Sequence, residues 1–284
     1  MSTDSVIHDI GYQRYTGRRL GRGYATRSLY VHGVRSVFGL GRPPKAKIFP
    51  WAVVGVMVIV ATVDIAIRSR TNVMPLSYRG YCEAMSVPAL LFLAAVAPEL
   101  LCRDLRHNVL PLYFSRPLRR TDYVWAKIAA AISGMWLLFA GPLLLIFVAG
   151  LFTVDTWRHR FDEARAFSGG LALAAIYAVV YSAFGLLFSS WLRRRMVASA
   201  VIVGYFLLSA AVGLIVGQLI GFPNGKGIGQ MFGPATLVRG LADYLWSEPF
   251  TDINDLGPTY LAVAVGLVLV CVVLLHLRYR RARS

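Results

Sequence analysis

The run VWAKIAAAISGMWLLFAGPLLLIFVAGL, residues 124–151, decides the fold of this chain, and Lys127 is its only charged residue. A helix rises about 1.5 Å per residue, so roughly 20 apolar residues can cross about 30 Å of hydrocarbon. Strands that cross a bilayer hold only about 10 residues each and alternate between apolar and polar side chains. The run is longer and does not alternate, and it therefore predicts a transmembrane helix.

Five further runs share this character. Apolar residues make up 57% of the chain and charged residues 15%, whereas a soluble domain has roughly 25% charged residues. We therefore predict an all-α integral membrane protein with one six-helix transmembrane domain over residues 48–277, an arm over 1–47 and a basic tail over 278–284. The six predicted spans are 48–67, 84–101, 124–151, 171–192, 197–220 and 260–277.

The distribution of cations predicts the orientation, because lysine and arginine near span ends are retained in the cytoplasm. With both termini inside, the cytoplasmic segments carry 21 of the 30 lysines and arginines, and the outside segments carry eight. The cytoplasmic segments are then 1–47, 102–123, 193–196 and 278–284. The net charge of +16 would face anionic lipid or an acidic partner surface rather than nucleic acid.

The arm contains a stretch, 24–40, that predicts an amphipathic helix lying in the membrane interface. On a helical wheel its apolar side holds Tyr30, Val31, Val34, Val37 and Phe38. Its polar side holds Ser28, His32, Arg35, Ser36 and Gly39. A loosely solvated arm is the alternative, since the many glycines weaken helicity, and Pro43 and Pro44 would end the helix.

Residue patterns for enzyme chemistry are missing. The five histidines are scattered, and the three cysteines map to different compartments, so we predict no catalytic residues, no metal site and no disulfide. Asp64 precedes Arg68, and Glu99 precedes Arg103, at spacings that suggest local ion pairs. The run GFPNGKG at 221–227 does not have the spacing of a phosphate-binding loop. We therefore expect no cofactor on this chain, and ATP, if used, must bind another chain.

Two patterns within the spans allow alternative interpretations. Gly213, Gly217 and Gly221 form a small-residue face that permits close approach of another helix, either within the chain or from another subunit. Tyr177, Tyr181 and Phe184 share one helical face, which would either pack against neighbouring helices or line a substrate path. In the last outside segment, GPATLVRGLADYLW at 233–246 predicts a short helix beginning near Pro234.

The connector after the second span reads RDLRHNVLPLYFSRPLRRTDYVWAK over 103–127. Together with six spans, a basic amphipathic arm and a short outer helix before the sixth span, this connector makes the chain resemble the type-2 permease subunit of ATP-binding-cassette transporters. The local similarity covers a run of charged residues, a short helix, SRP and an aromatic helix start with a lysine. A cytoplasmic retention loop that happens to contain aromatics is the alternative.

The resemblance implies that this connector is a coupling helix that docks in a groove of a cytoplasmic ATPase. The apolar plug would be Leu110, Pro111, Leu112, Tyr113 and Phe114. The surrounding contact residues would be Arg103, Asp104, Arg106, Ser115, Arg116, Pro117, Arg119 and Arg120. Prolines and a buried aromatic would give the stiffness that transmits the movement of an ATPase.

The resemblance further implies a transport subunit in the cell membrane. It would pair with two ATPase chains, which bind ATP and magnesium, and with a second copy of itself or a similar permease. The family mostly exports drug-like, lipid or other amphipathic substrates. An integral-membrane enzyme acting on lipid or isoprenoid, and a membrane scaffold without activity, are the alternatives.

Overall fold

The computed structural model describes residues 17, 20–41, 43–71, 74–107, 109–115, 118–153, 157–221, 225–246 and 256–281. Within these ranges the chain forms helices and no strands. The helices are α1 (Arg22–Val37), α2 (Pro44–Thr71), α3 (Tyr78–Ala84), α4 (Ser86–Arg106), α5 (Leu110–Phe114), α6 (Arg120–Thr153), α7 (Trp157–Trp191), α8 (Arg195–Ile220), α9 (Gly225–Gln230), α10 (Pro234–Trp246) and α11 (Gly257–Arg281).

Six helices, α2, α4, α6, α7, α8 and α11, are long and apolar enough to cross a membrane. Each contains most or all of one predicted span, so the sequence-based assignment of an all-α protein with six candidate spans is confirmed. The largest difference lies in α7, which begins at Trp157, 14 residues before the predicted start. This extension carries the charged residues of RHRFDEAR and continues the helix beyond its apolar part.

The centre of the bundle is α4, which packs against α2, α6, α7 and α8. Phe92, Leu93 and Leu100 of α4 are almost completely buried. The outward faces of α2 and α8 carry exposed apolar side chains such as Ile59 and Leu214. An apolar outer surface over helices of this length is what a lipid environment requires, because lipid does not penalise exposed leucine or isoleucine.

The predicted helix of the arm is present as α1, and it packs along α4 and the first half of α6. Its buried face agrees with the predicted one in part: Val37 is buried and Tyr30 and Phe38 pack against the core, but Val31 is exposed and Ser36 is buried. Val37 sits against Gly134 of α6 and Gly33 against Ala130. Small residues such as Gly33 and Gly134 let α1 approach α6 closely.

Both predicted local ion pairs are absent. Arg68 forms two hydrogen bonds to Glu163 of α7, at 2.7 and 2.9 Å, while Asp64 accepts one from the backbone N–H of Leu76. Glu99 pairs with Arg195 of α8 at 2.7 Å instead of with Arg103. Arg68 and Glu99 thus find their ion-pair partners on other helices, because packed helices bring long side chains together.

Candidate functional site

The connector lies at the end of the bundle where α4, α7 and α11 end and α1, α6 and α8 begin, which we call the connector end. Its short helix α5 starts next to Pro111, whose fixed φ suits the first turn of a helix. The backbone N–H of Ser115 donates to the carbonyl of Pro111 at 2.9 Å and closes the turn. On this helix Leu112 is 68% exposed, whereas Leu110 and Tyr113 pack against the core.

Tyr113 attaches α5 to the spans. Its ring lies 5.8 Å from the ring of Tyr123 on α6, and Tyr123 lies 5.3 Å from Tyr279 on α11. Tyr123 and Tyr279 are almost completely buried. Aromatic pairs at such distances contribute about 0.5–1.5 kcal/mol beyond the area that they bury. The row of three rings therefore connects α5 to the third and sixth candidate spans.

A buried charged group lies beneath this row. Asp104 of α4 accepts a hydrogen bond from the Tyr123 hydroxyl at 2.7 Å, and its carboxylate lies 2.7 Å from Lys127 Nζ. Lys127 also donates to the backbone carbonyl of Leu100 at 2.8 Å. The side chains of Asp104 and Lys127 are only 12% and 5% exposed. The one lysine within the third predicted span is thus satisfied by α4.

Polar contacts join the exit of the connector to both ends of the described chain. Arg22 of α1 makes a bidentate contact with Asp122, at 2.5 Å for each oxygen, and this hydrogen bond raises the pKa of Arg22 above its usual range. Asp122 also accepts from the backbone N–H of Arg119 at 3.1 Å. Arg120 donates to the carbonyl of Arg280 at 2.7 Å. The start of α6 is therefore tied to α1 and α11.

The predicted ATPase-contact residues divide into two groups. Those that are exposed are Arg103, Arg106, Pro111, Leu112, Ser115 and Arg119. Those that are partly or wholly buried within the bundle are Asp104, Leu110, Tyr113 and Arg120. Arg116 and Pro117 lie outside the described residues, and Phe114 is described only as part of the backbone of α5. The exposed group could contact another protein, whereas the buried group holds the connector in place.

The glycine face of α8 packs within the chain. Gly213 and Gly217 lie directly against the backbone of α9 at Gly229 and Gly225, so two small-residue faces meet. Gly221 ends α8 with φ of 74°, a left-handed conformation that favours glycine. The structure supports the intra-chain alternative for this face. The helix α9 was not predicted, although its sequence GKGIGQ carries Gly225 and Gly229 at the matching spacing of four.

The aromatic stripe of α7 is buried. Tyr177, Tyr181 and Phe184 are at most 5% exposed, and Tyr181 packs edge to face on Phe206 of α8 at 4.9 Å. Phe184 stacks on Tyr205 of the same helix at 5.4 Å. Tyr181 and Phe184 thus pack against α8 within the chain, while the ring of Tyr177 lies 5.8 Å from that of Phe139 on α6.

At the opposite end, two carboxylates each bind one arginine and one tyrosine. Glu163 accepts from Arg68 and from the Tyr78 hydroxyl. Glu83 of α3 accepts from the Tyr177 hydroxyl at 2.5 Å and also contacts Arg239 of α10. Burial, with the contact to Glu163, raises the pKa of Tyr78 far above its usual value. Burial would lower the pKa of Arg239, but the hydrogen bond to Glu83 outweighs it.

Chemistry-bearing residues are otherwise dispersed in the part of the chain that the structure describes. No three His, Cys, Asp or Glu side chains there lie close enough to hold a metal ion. The three cysteines are buried and unpaired. The predicted helix over 233–246 is confirmed as α10 (Pro234–Trp246), whose Leu237 and Leu241 are buried. No protein-family model and no curated protein matches this chain.

Proposed function

We propose that this chain is the transmembrane permease subunit of an ATP-binding-cassette transporter. It would form the translocation pathway with a second copy or a similar permease, and each permease would dock on a separate cytoplasmic ATPase through α5. The two ATPase chains would bind ATP and magnesium. The proposed activity is export of an amphipathic, drug-like or lipid substrate across the cell membrane.

One observation carries the proposal: α5 has an exposed apolar face and an anchored reverse face. Leu112 is 68% exposed, and neighbouring Tyr113 packs on Tyr123 of α6. A loop that merely retained cations in the cytoplasm would need neither feature. An exposed leucine on a rigid turn suits insertion into a partner groove, where burying it would contribute about 1.5–3 kcal/mol.

The anchored face gives the proposed docking helix a mechanical connection to three spans. A displacement of α5 would act on α6 through Tyr123, on α11 through Tyr279 and on α4 through Asp104. Aromatic contacts and hydrogen bonds between packed helices can transmit such displacements from one helix to the next. Closure of the ATPase pair would thus tilt these spans together and open the pathway to the other side.

The experiment that tests the proposal compares two substitutions of exposed apolar residues. Leu112→Asp places a charge on the proposed docking face, and Phe161→Asp places the same charge on the far end of α7, where Phe161 is 73% exposed. We expect Leu112→Asp to weaken co-purification of a P-loop ATPase by about tenfold or more, since a buried leucine is worth that much affinity. Phe161→Asp should leave co-purification unchanged.

Size-exclusion chromatography of each variant checks that the fold survives. Equal recovery of the ATPase with Leu112→Asp and with the unsubstituted chain would contradict docking through α5. A monodisperse chain without an ATPase that turns over a lipid or isoprenoid substrate would overturn the transport proposal and favour the enzyme alternative.

A further inference from the structure

A cavity of about 240 Å³ lies at the connector end, between the last turns of α4 and the turn that joins α7 to α8. Its polar lining consists of Glu99, Arg103, Arg106, His107, Arg193 and Arg195. With His107 neutral, four arginines and one glutamate give this cavity a formal charge of +3. A space of this size could hold several water molecules or one compact polar group, since a water occupies about 30 Å³.

The charges in the cavity are only partly compensated. Arg195 pairs with Glu99 at 2.7 Å. Arg103, Arg106 and Arg193 form no ion pair with any residue in the described ranges, although they converge on one space. Like charges held close together repel, and an anion between them removes that cost. The arrangement therefore fits an anionic ligand.

The position of the cavity at the end of a candidate span indicates which kind of anion can reach it. Its inner wall is formed by Pro98 and Cys102, both buried in a candidate span. Trp191 and Met196, on either side of the α7 to α8 turn, are 64% and 80% exposed. Exposed tryptophan at a span end is typical of the headgroup level of a bilayer. Exposed cations at that level are within reach of lipid phosphates.

We propose that this cavity binds the phosphate of an anionic membrane lipid. Arg103 and Arg106 from α4 would hold the phosphate from one side, and Arg193 from the other, while Arg195 stays with Glu99. The acyl chains would lie along the exposed apolar residues of α8. Lipid fits better than an acidic protein surface, because the cavity lies beside the exposed apolar side chains of Trp191 and Met196.

This site does not rest on the transport proposal, because it requires only that α4, α7 and α8 cross a membrane. It does reassign two arginines. The resemblance places Arg103 and Arg106 against an ATPase, whereas the cavity turns them towards α8. If the lipid occupies the cavity, the ATPase contact is left to α5 and to Arg119.

The test uses the full chain in nanodiscs of phosphatidylcholine, with and without phosphatidylglycerol, and native mass spectrometry to count retained phosphatidylglycerol. The variant Arg103→Gln with Arg193→Gln removes one cation from each side of the cavity. We expect about thirtyfold weaker retention, since each cation near an anionic surface contributes about fivefold. Arg158→Gln with Arg165→Gln is the matched control, because both arginines are exposed at the opposite end.

The outcomes separate the sources of the anion. Retention that falls only in the cavity variant, and recovers when Arg103→Lys replaces Arg103→Gln, supports the lipid site. Retention unchanged in the cavity variant overturns it. Inorganic phosphate that displaces phosphatidylglycerol from the cavity at equal concentration would point to a soluble anion and also overturns it. If the cavity variant loses the co-purifying ATPase but retains lipid normally, Arg103 and Arg193 would be assigned to contact with the partner protein instead.

Discussion

Lys127 Nζ lies 2.7 Å from Oδ2 of Asp104, and this pair joins the third candidate span to the second directly beneath α5. Both side chains are largely buried, and removing one partner of a buried pair leaves the other charge without its counter-ion. We therefore expect this pair to stabilise the fold, in addition to its part in the proposed connection between α5 and the spans.

We expect Lys127→Met to destabilise the protein by about 3–5 kcal/mol, because Asp104 is then a buried carboxylate without its cation. Denaturation in detergent, followed by tryptophan fluorescence, measures the loss. Lys45→Met is the control, since Lys45 is exposed at the start of α2, and its effect should stay within about 0.5 kcal/mol.

The double variant Lys127→Met with Asp104→Leu separates charge from packing. Replacing a whole buried pair by apolar residues is often neutral or stabilising, so the double variant should recover most of the stability lost in Lys127→Met. Equal instability of the single and the double variant would show that the pair is not the cause.

The contact between α8 and α9 depends on glycine at position 213. A Cβ there would collide with the backbone carbonyl of Gly229, which cannot rotate away as a side chain could. We expect Gly213→Ala to cost about 1–3 kcal/mol of the free energy of unfolding. On the same helix, Gly204 has nothing within 4 Å of an added Cβ. Gly204→Ala should therefore stabilise by about 0.5–1 kcal/mol through helix propensity.

Thermal unfolding of the two alanine variants beside the unsubstituted chain measures both effects. If Gly213→Ala proves as harmless as Gly204→Ala, then α9 does not pack on the glycine face, and the subunit-interface alternative for that face returns.

The three native cysteines should be silent to thiol reagents in the folded protein. All are buried, and burial raises the pKa of the Cys82 thiol far above its usual value, so the reactive thiolate stays scarce at neutral pH. Phe152 and Leu112 are 85% and 68% exposed. A cysteine introduced at either position therefore reports the side of the membrane on which it lies.

We expect a membrane-impermeant maleimide to label Phe152→Cys on intact cells, and Leu112→Cys only after the membrane is opened. This follows from the cation bias, which predicts the connector end inside. The reverse labelling pattern would contradict the predicted orientation, and with it docking of a cytoplasmic ATPase on α5. Labelling of the unsubstituted chain would contradict the burial of its cysteines.

Much of the fold was predictable because it depends on local composition. The six spans follow from long apolar runs, and α10 follows from Pro234 and the helix-forming residues after it. The short helix in the connector was predicted from the resemblance, and the structure has a helix there, α5. In each case the deciding residues are neighbours in the sequence.

Features that were not predicted are short helices and contacts between residues that are far apart in the sequence. Arg68 forms its ion pair with Glu163 rather than with Asp64. The helices α3 (Tyr78–Ala84) and α9 (Gly225–Gln230) were not predicted, because they are too short to show a periodic pattern. The helix over 24–40 was predicted, but its close contact with Gly134 of α6 was not. A helical wheel uses the sequence of one helix only, so it gives no information on the shape of the helix that packs against it.

The sequence by itself determined that this chain is an all-helical protein with six candidate membrane spans, since span length and apolarity are properties of contiguous residues. Only the tertiary structure decided that Tyr113 is anchored while Leu112 is exposed, and that Arg103 and Arg193 share a cavity. These relationships depend on how helices distant in sequence pack against each other. Packing is governed by the shapes of both surfaces at once, which no single segment encodes.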